Sequence, residues 1–216
     1  MNIILFGATG LVGNEVRKFL HSHHSHHKIG LVVRKKLKDI NPGEVEILSD
    51  LTSHEDLKNR LMDLRPEVAF CCLGTTMKKA GSKHAFYHVD HELILNCAKA
   101  AYLAGAKSFG VISSSGADAR SDFYYLKVKG ETEKDLMGLG FAQLVILRPG
   151  LLLGKRSESR TLEKLFISLA PFYSKLMKGP LRKFRPIEAS SVASCLVRLT
   201  TSKGKKVQIL ESHNII

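Results

Sequence analysis

No stretch of this chain approaches the roughly 18 consecutive apolar residues that a membrane-spanning helix needs. The opening residues also lack the basic start of a secretory signal. Cysteine is scarce: Cys71, Cys72, Cys97 and Cys195 match neither a disulfide framework nor a metal-site spacing. Cys71 and Cys72 are neighbours in an apolar run, so in a strand their side chains face opposite sides. A reduced, cytoplasmic protein without membrane association is the expectation. Internal repeats, low-complexity linkers and domain breaks are missing as well, which leaves one domain spanning 1–216. The net charge of +13 invites a nucleic-acid partner. Its carriers, however, are scattered through 34–38, 58–60, 78–83, 127–134, 155–164 and 175–185 with little aromatic interleaving, so a dedicated nucleic-acid reader is not expected. His21, His23, His24, His26 and His27 crowd into HSHHSHH, but no cysteine or carboxylate stands by to fix a metal geometry. They read as a solvated helix end, and no metal site is expected.

What is present is an alternation. Apolar runs at 2–6, 29–33, 45–48, 68–73, 108–113 and 142–147 have the character of strands, and helical patterns near 11–21, 54–64, 91–104 and 126–138 separate them. Strands alternating with amphipathic helices imply right-handed crossovers and a parallel sheet covered on both faces. The expected fold is α/β, a Rossmann-type doubly wound parallel sheet of six or seven strands in the order 3-2-1-4-5-6. From about 155 the pattern loosens around Pro171, Pro180 and Pro186, before a helix-like stretch at 190–200 and a last strand at 206–210. Ligands of open α/β sheets collect beyond the carboxyl ends of the strands, so 155–216 is expected to form a small C-terminal lobe on the substrate side.

The first crossover carries the most informative motif. Ile3-Ile4-Leu5-Phe6 runs into Gly7-Ala8-Thr9-Gly10-Leu11-Val12-Gly13, three glycines spaced three apart, and then into a helical pattern. Gly7 permits a tight turn, Gly10 lets a pyrophosphate approach bare backbone, and Gly13 lets helix and strand pack closely. The helix then presents free N–H groups and the positive end of its dipole. Gly7, Ala8, Thr9, Gly10, Leu11 and Val12 are therefore candidate dinucleotide contacts. At the end of the second strand stand Arg34-Lys35-Lys36, with no acidic residue before Asp39. An acid there would bind the adenosine ribose, whereas Arg34 can stack on adenine and fork onto a 2′-phosphate with Lys35 beside it, favouring NADP over NAD. Asp50 and Leu51 are expected to flank the adenine, and Leu73, Gly74, Thr75 and Thr76 to pass beneath the sugar and pyrophosphate.

After the fifth strand comes Ser113-Ser114-Ser115-Gly116, followed by Tyr125 and Lys129. Residues four apart share one helix face. An ammonium beside a phenol favours the phenolate, so such a tyrosine can pass a proton to or from a substrate oxygen. A serine at the strand end can hydrogen-bond the same oxygen; Ser113 and Ser114 are both candidates, Ser113 first. Tyr124 is a decoy, because its fourth neighbour is Val128.

Over roughly 1–165 the chain resembles the short-chain dehydrogenase/reductase superfamily in its atypical NAD(P)H-binding branch. Leu73-Gly74-Thr75-Thr76, Gly81-Ser82, Phe86-Tyr87-His88-Val89-Asp90, Ser113-Ser114-Ser115-Gly116-Ala117-Asp118, Tyr125-Leu126-Lys127-Val128-Lys129-Gly130-Glu131 and Arg148-Pro149-Gly150 resemble the Tat-interacting-protein oxidoreductases and their bacterial relatives. The resemblance implies an NADPH-binding monomer or homodimer with Ser113 or Ser114, Tyr125 and Lys129 as its Ser/Tyr/Lys motif. It also implies late cofactor contacts from Pro149, Leu152 and Arg160.

The leading expectation is an NADP(H)-dependent oxidoreductase acting on an unidentified carbonyl or alcohol. The alternative is a non-catalytic NADPH-binding regulator; a nucleic-acid-associated protein ranks third. Other residues have plainer readings. Asn96 is a packed helix position rather than a holder of catalytic water. Asp90 stands where members of the superfamily it resembles carry an Asn or Asp near the nicotinamide, but is read in preference as the cap of the helix at 91–104. Met77-Lys78-Lys79 and Lys83-His84 are solvated loop residues, and Phe172, Tyr173 and Phe184 line the C-terminal lobe.

Overall fold

A computed structural model describes residues 1–23, 27–154 and 185–215. Seven parallel strands form one sheet: β1 (Asn2–Phe6), β2 (Lys28–Val33), β3 (Glu44–Leu48), β4 (Val68–Cys71), β5 (Ser108–Ile112), β6 (Gln143–Arg148) and, last in the chain, β9 (Val207–Glu211). Their order is β3-β2-β1-β4-β5-β6-β9, so the strand order read from the sequence holds and the last strand extends the sheet beside β6. Two short strands, β7 (Leu152–Leu153) and β8 (Ile187–Glu188), pair separately, a feature too brief to leave a periodic signal.

Alternation along β1 explains why the sheet is buried on both faces. Ile4 and Phe6 pack on one side with Ala69 and Cys71 of β4, under α2 (His54–Leu61), α5 (Leu93–Leu103) and α6 (Tyr124–Gly138). Ile3 and Leu5 pack on the other, with Val68 and Phe70, under α1 (Leu11–His23) and α7 (Ala189–Thr201). Cys71 and Cys72 do face opposite sides, and Cys71, Cys97 and Cys195 are buried as free thiols. Helix α1 offers Val12, Val16 and Leu20 as one buried stripe. It extends through His23, and His21 and His23 are exposed at its end, as expected; His24 and His26 lie outside the described residues. Helix α2 begins where Ser53 accepts the Asp56 N–H at 3.2 Å, with Glu55 and Asp56 suiting the dipole.

Two expectations change between β4 and β5. Met77–Ala80 is not loop but a short helix, α3, capped by Thr76, and α4 (Lys83–Tyr87) follows, capped by Ser82. From α4 the chain passes through a π-helical turn at His88–Glu92 into α5 without a break. Asp90 therefore sits inside a continuous helical segment, where there is no helix start to cap. Of the 155–216 expected to form a C-terminal lobe, 155–184, with Arg160, Phe172, Tyr173 and Phe184, lie outside the described residues, whereas α7 and β9 belong to the main sheet and its core.

Candidate active site

The carboxyl ends of β1, β4 and β5 open onto a cleft of about 670 Å³. Its first wall is the glycine turn. Gly7 has φ of +78°, and a Cβ there would lie 2.8 Å from the Cys72 carbonyl carbon. At Gly13 a Cβ would fall 2.0 Å from the Gly7 oxygen, so any side chain would pry α1 off β1. Thr9, Gly10, Leu11 and Val12 line the cleft, and no acidic residue stands in the first turn of α1 to compete with an anion.

The opposite wall comes from β4, the π-helical turn and α6. Leu73, Gly74, Thr75 and Thr76 line the cleft, as do Tyr125, Lys129, Ser113 and, near the rim, Leu152. Tyr125 packs on the buried Phe86 ring, 5.3 Å between centroids. Tyr124 turns elsewhere, donating to the Lys83 carbonyl at 3.0 Å beneath the Lys83 ammonium.

Lys129 is almost wholly enclosed, and its Nζ lies 2.7 Å from Asp90 Oδ1, itself fully buried. Burial works to lower the ammonium's pKa, but the charge of Asp90, with a smaller contribution from Tyr125, outweighs it. The net displacement is upward, so Lys129 stays charged. Asp90 also receives the Thr75 N–H on Oδ2 at 2.8 Å, and its carbonyl accepts the Thr132 hydroxyl at 2.9 Å. One residue thus ties the β4 loop to two turns of α6. The plain cap reading of Asp90 is replaced by a buried joint. The sequence signal was available: no glycine or proline interrupts 83–103, so a helix start at 91 had no cause.

Behind the cleft lies a second polar cluster, which sequence reasoning missed. Arg148 of the Arg-Pro-Gly segment holds Glu133 Oε2 at 2.5 Å and Glu211 Oε1 at 3.0 Å. Hydrogen bonding to Glu133 raises the Arg148 pKa, and burial opposes it. Ser113 donates its hydroxyl to Glu133, so its proton points into this cluster while its oxygen borders the cleft. Ser115 donates to the Arg148 carbonyl at 2.9 Å. Ser114 is half-buried, is not among the cleft-lining residues, and lends its carbonyl to the Ala117 N–H. Glu133 of α6 and Glu211 of β9 are widely separated in sequence and share Arg148, Glu211 because β9 pairs with β6 in register with it.

The remaining candidates fall outside this cleft. Gly7 and Ala8 form the turn beneath it. Pro149 is buried, its carbonyl accepting the Ser115 N–H at 3.0 Å. Arg34 and Lys35 are exposed at the end of β2, and Asp50 is exposed after β3. Leu51 is in the core, 3 % exposed, and its N–H and carbonyl are taken by Ser49 and Asn96, so it is not a ligand-facing residue. Cleft residues not anticipated are Asn14, Glu15, Cys72 and Ile112, while Lys79 and Asp90, read from the sequence as a solvated residue and a helix cap, line the cleft as well. Desolvation holds the half-buried Cys72 thiol above its ordinary value. Among the described residues no cluster of His, Cys, Asp or Glu could hold a metal, and no helix is long and apolar enough to cross a membrane.

Comparison with known proteins gives this cleft its context. Residues 7–202 match the sequence profile described as NAD(P)H-binding. The chain is 39% identical over 166 residues to protein fmp52, mitochondrial, of Emericella nidulans, covering 75% of this chain and 71% of that one. It is 32% identical over 216 residues to protein HTATIP2 of Rattus norvegicus, covering 100% and 88%. In fold it is similar to a UDP-glucose 4-epimerase of Thermotoga maritima, with TM-score 0.72, 15% identity and coverage of 98% and 77%. It is likewise similar to the enzyme WbmH of Bordetella bronchiseptica, solved with NAD+, at TM-score 0.72, 14% identity and coverage of 98% and 75%. The cytoplasmic expectation is corrected here, because the fungal relatives are named mitochondrial proteins; cysteines without a disulfide spacing suit any reducing environment and do not identify a compartment. With its glycine turn, doubly wound parallel sheet and Tyr/Lys cleft, the chain belongs to the NAD(P)H-binding family.

Proposed function

We propose that the protein is an NADPH-dependent oxidoreductase that interconverts a carbonyl and an alcohol, with Tyr125 as the proton donor and acceptor. The observation that carries this reading is Lys129, an ammonium kept charged inside the cleft beside Tyr125 by the buried Asp90. A reduced nicotinamide, when bound, supplies the hydride. The chain's own residues do the rest. The glycine turn and the first N–H groups of α1 hold the pyrophosphate. Tyr125 moves a proton at the substrate oxygen, with Lys129 stabilising its anionic form. The Lys129 ammonium would also donate to the sugar hydroxyls of the bound nucleotide. With its proton directed at Glu133, Ser113 accepts from the hydroxyl of the alcohol form of the substrate, and the carbonyl form takes its hydrogen bond from Tyr125.

NADPH is preferred over NADH on the strength of Arg34 and Lys35, exposed at the carboxyl end of β2 where no carboxylate competes for a 2′-phosphate. We further infer that the chain shares the mitochondrial location in its fungal relatives' names, which cell fractionation checks.

The deciding experiment is NADPH oxidation across a panel of carbonyl compounds, for the native protein and Tyr125→Phe. Turnover is expected to fall by about 10²- to 10⁴-fold in the variant, with NADPH binding retained. Tight NADPH binding without turnover on any carbonyl would instead make the protein a cofactor-reading regulator.

A further inference from the structure

The loop between β3 and α2 contains a residue in an unfavourable conformation. Leu51 has φ of 70°, in the left-handed region that a bulky side chain rarely adopts, yet that side chain is buried in the core with Phe6, Val32 and Leu57. Such a conformation persists only where the surroundings over-determine it. Within the loop, the Leu51 N–H donates to Ser49 Oγ at 3.1 Å, and Asp50 Oδ1 accepts the Thr52 N–H at 2.9 Å and the Thr52 hydroxyl at 2.8 Å. The tie from outside comes from α5. Asn96 Nδ2 donates to the Leu51 carbonyl at 3.2 Å and to the Thr52 carbonyl at 2.9 Å.

The location gives this clamp a consequence. The Ser49 N–H donates to the Val33 carbonyl at 3.0 Å, which pins the loop beside the carboxyl end of β2, next to Arg34. That is the edge of the sheet on which the glycine turn opens, displaced from it towards β3. Connecting β3 to α2 does not by itself require a left-handed leucine. The strained turn does send the Leu51 side chain inward while leaving Asp50 and Thr52 exposed at the edge.

We propose that Asn96 is a positioning residue for the adenosine half of the dinucleotide: its amide holds the strained Leu51–Thr52 turn so that the exposed edge at Asp50 meets the adenine. This rests on dinucleotide binding by the family, and not on turnover. Asn96 lies far along α5 from the Asp90–Lys129 joint and is not a catalytic residue.

The test compares three probes on the full-length protein by titration calorimetry: NADPH, 2′-phospho-ADP for the adenosine half, and reduced nicotinamide mononucleotide for the other half. In Asn96→Ala, affinity for NADPH and 2′-phospho-ADP is expected to fall by about 10-fold, as for loss of one well-placed clamp. Affinity for reduced nicotinamide mononucleotide is expected to stay within roughly 2-fold. If Asn96→Ala does not fold, Asn96→Asp, which matches its shape but lacks the two N–H donors, carries the same expectation. Equal weakening of both half-ligands, or no change in either, overturns the proposal. Failure of the native protein to bind NADPH at all would instead overturn the dinucleotide reading beneath it.

Discussion

The two ends of the cofactor edge are built on opposite principles. At the Tyr125 end, Asp90, Lys129 and Thr132 are buried, and Asp90 of the π-helical turn is bonded to both of the others on α6. At the other end, Arg34, Lys35 and Asp50 stand in solvent, and the loop beneath them is held by one amide from α5 and its own turns. A group that must transfer a proton has to be held in place before the substrate arrives, since misplacement directly lowers the rate. A group that only recognises a phosphate gains from staying hydrated until binding, because a buried unpaired cation would cost more than it returned. Preorganised chemistry at one end and open charge at the other is the expected division.

Breaking the buried end has the largest predicted effect. Asp90→Leu removes the partner of an enclosed ammonium, and the loss of stability is expected to be about 3–5 kcal/mol, read from urea unfolding. A change below roughly 1 kcal/mol would mean that Lys129 finds water or another partner, and the joint would not be rigid.

At the open end, Arg34→Glu is expected to leave the melting temperature nearly unchanged. It should weaken NADPH by roughly 10- to 100-fold, the value of a charge-assisted contact, and NADH far less. Calorimetric titration with both cofactors measures this, and equal losses would remove the 2′-phosphate assignment.

The smallest effect concerns the scaffold under the open end. Glu44 at the start of β3 receives Arg17 of α1, with Oε2 at 2.6 Å. Burial favours its protonation, but hydrogen bonds from Arg17 and from Asn41 prevail, so the carboxyl lies below its ordinary value of 4.5. A carboxyl depressed in the folded state contributes stability that is fully present above its unfolded value and is lost as the pH falls through its folded one. Thermal unfolding of the native protein should therefore fall off more steeply below about pH 4.5 than that of Glu44→Gln. At neutral pH the variant is expected to be less stable by about 1–3 kcal/mol. Parallel pH curves would show that the pair contributes nothing specific.

The parts of this molecule that could be read in advance are those whose physics is local in sequence. Continuous apolar runs placed the strands because a parallel sheet covered on both faces buries every side chain, and the glycine spacing placed the turn because Gly7 and Gly13 admit no Cβ. Tyr125 and Lys129 were found because four residues on a helix share a face. Asp90 was misread because its partners, Thr75 and Lys129, lie on other elements, and its local setting resembles a cap. Asn96 was passed over for the same reason: its partners are some 44 and 45 residues away. Glu133 could not be told from its neighbour Glu131 until β6 carried Arg148 alongside it.

The chain alone determined a doubly wound sheet, a dinucleotide turn and a Tyr/Lys pair, since each depends on short-range periodicity, sterics and spacing. Only the tertiary structure decided which carboxylate keeps Lys129 charged, where the Ser113 proton goes and what holds the strained Leu51. Those outcomes depend on which buried polar groups meet when separate strands and helices pack, and a polar atom removed from water must take whatever partner the fold brings to it.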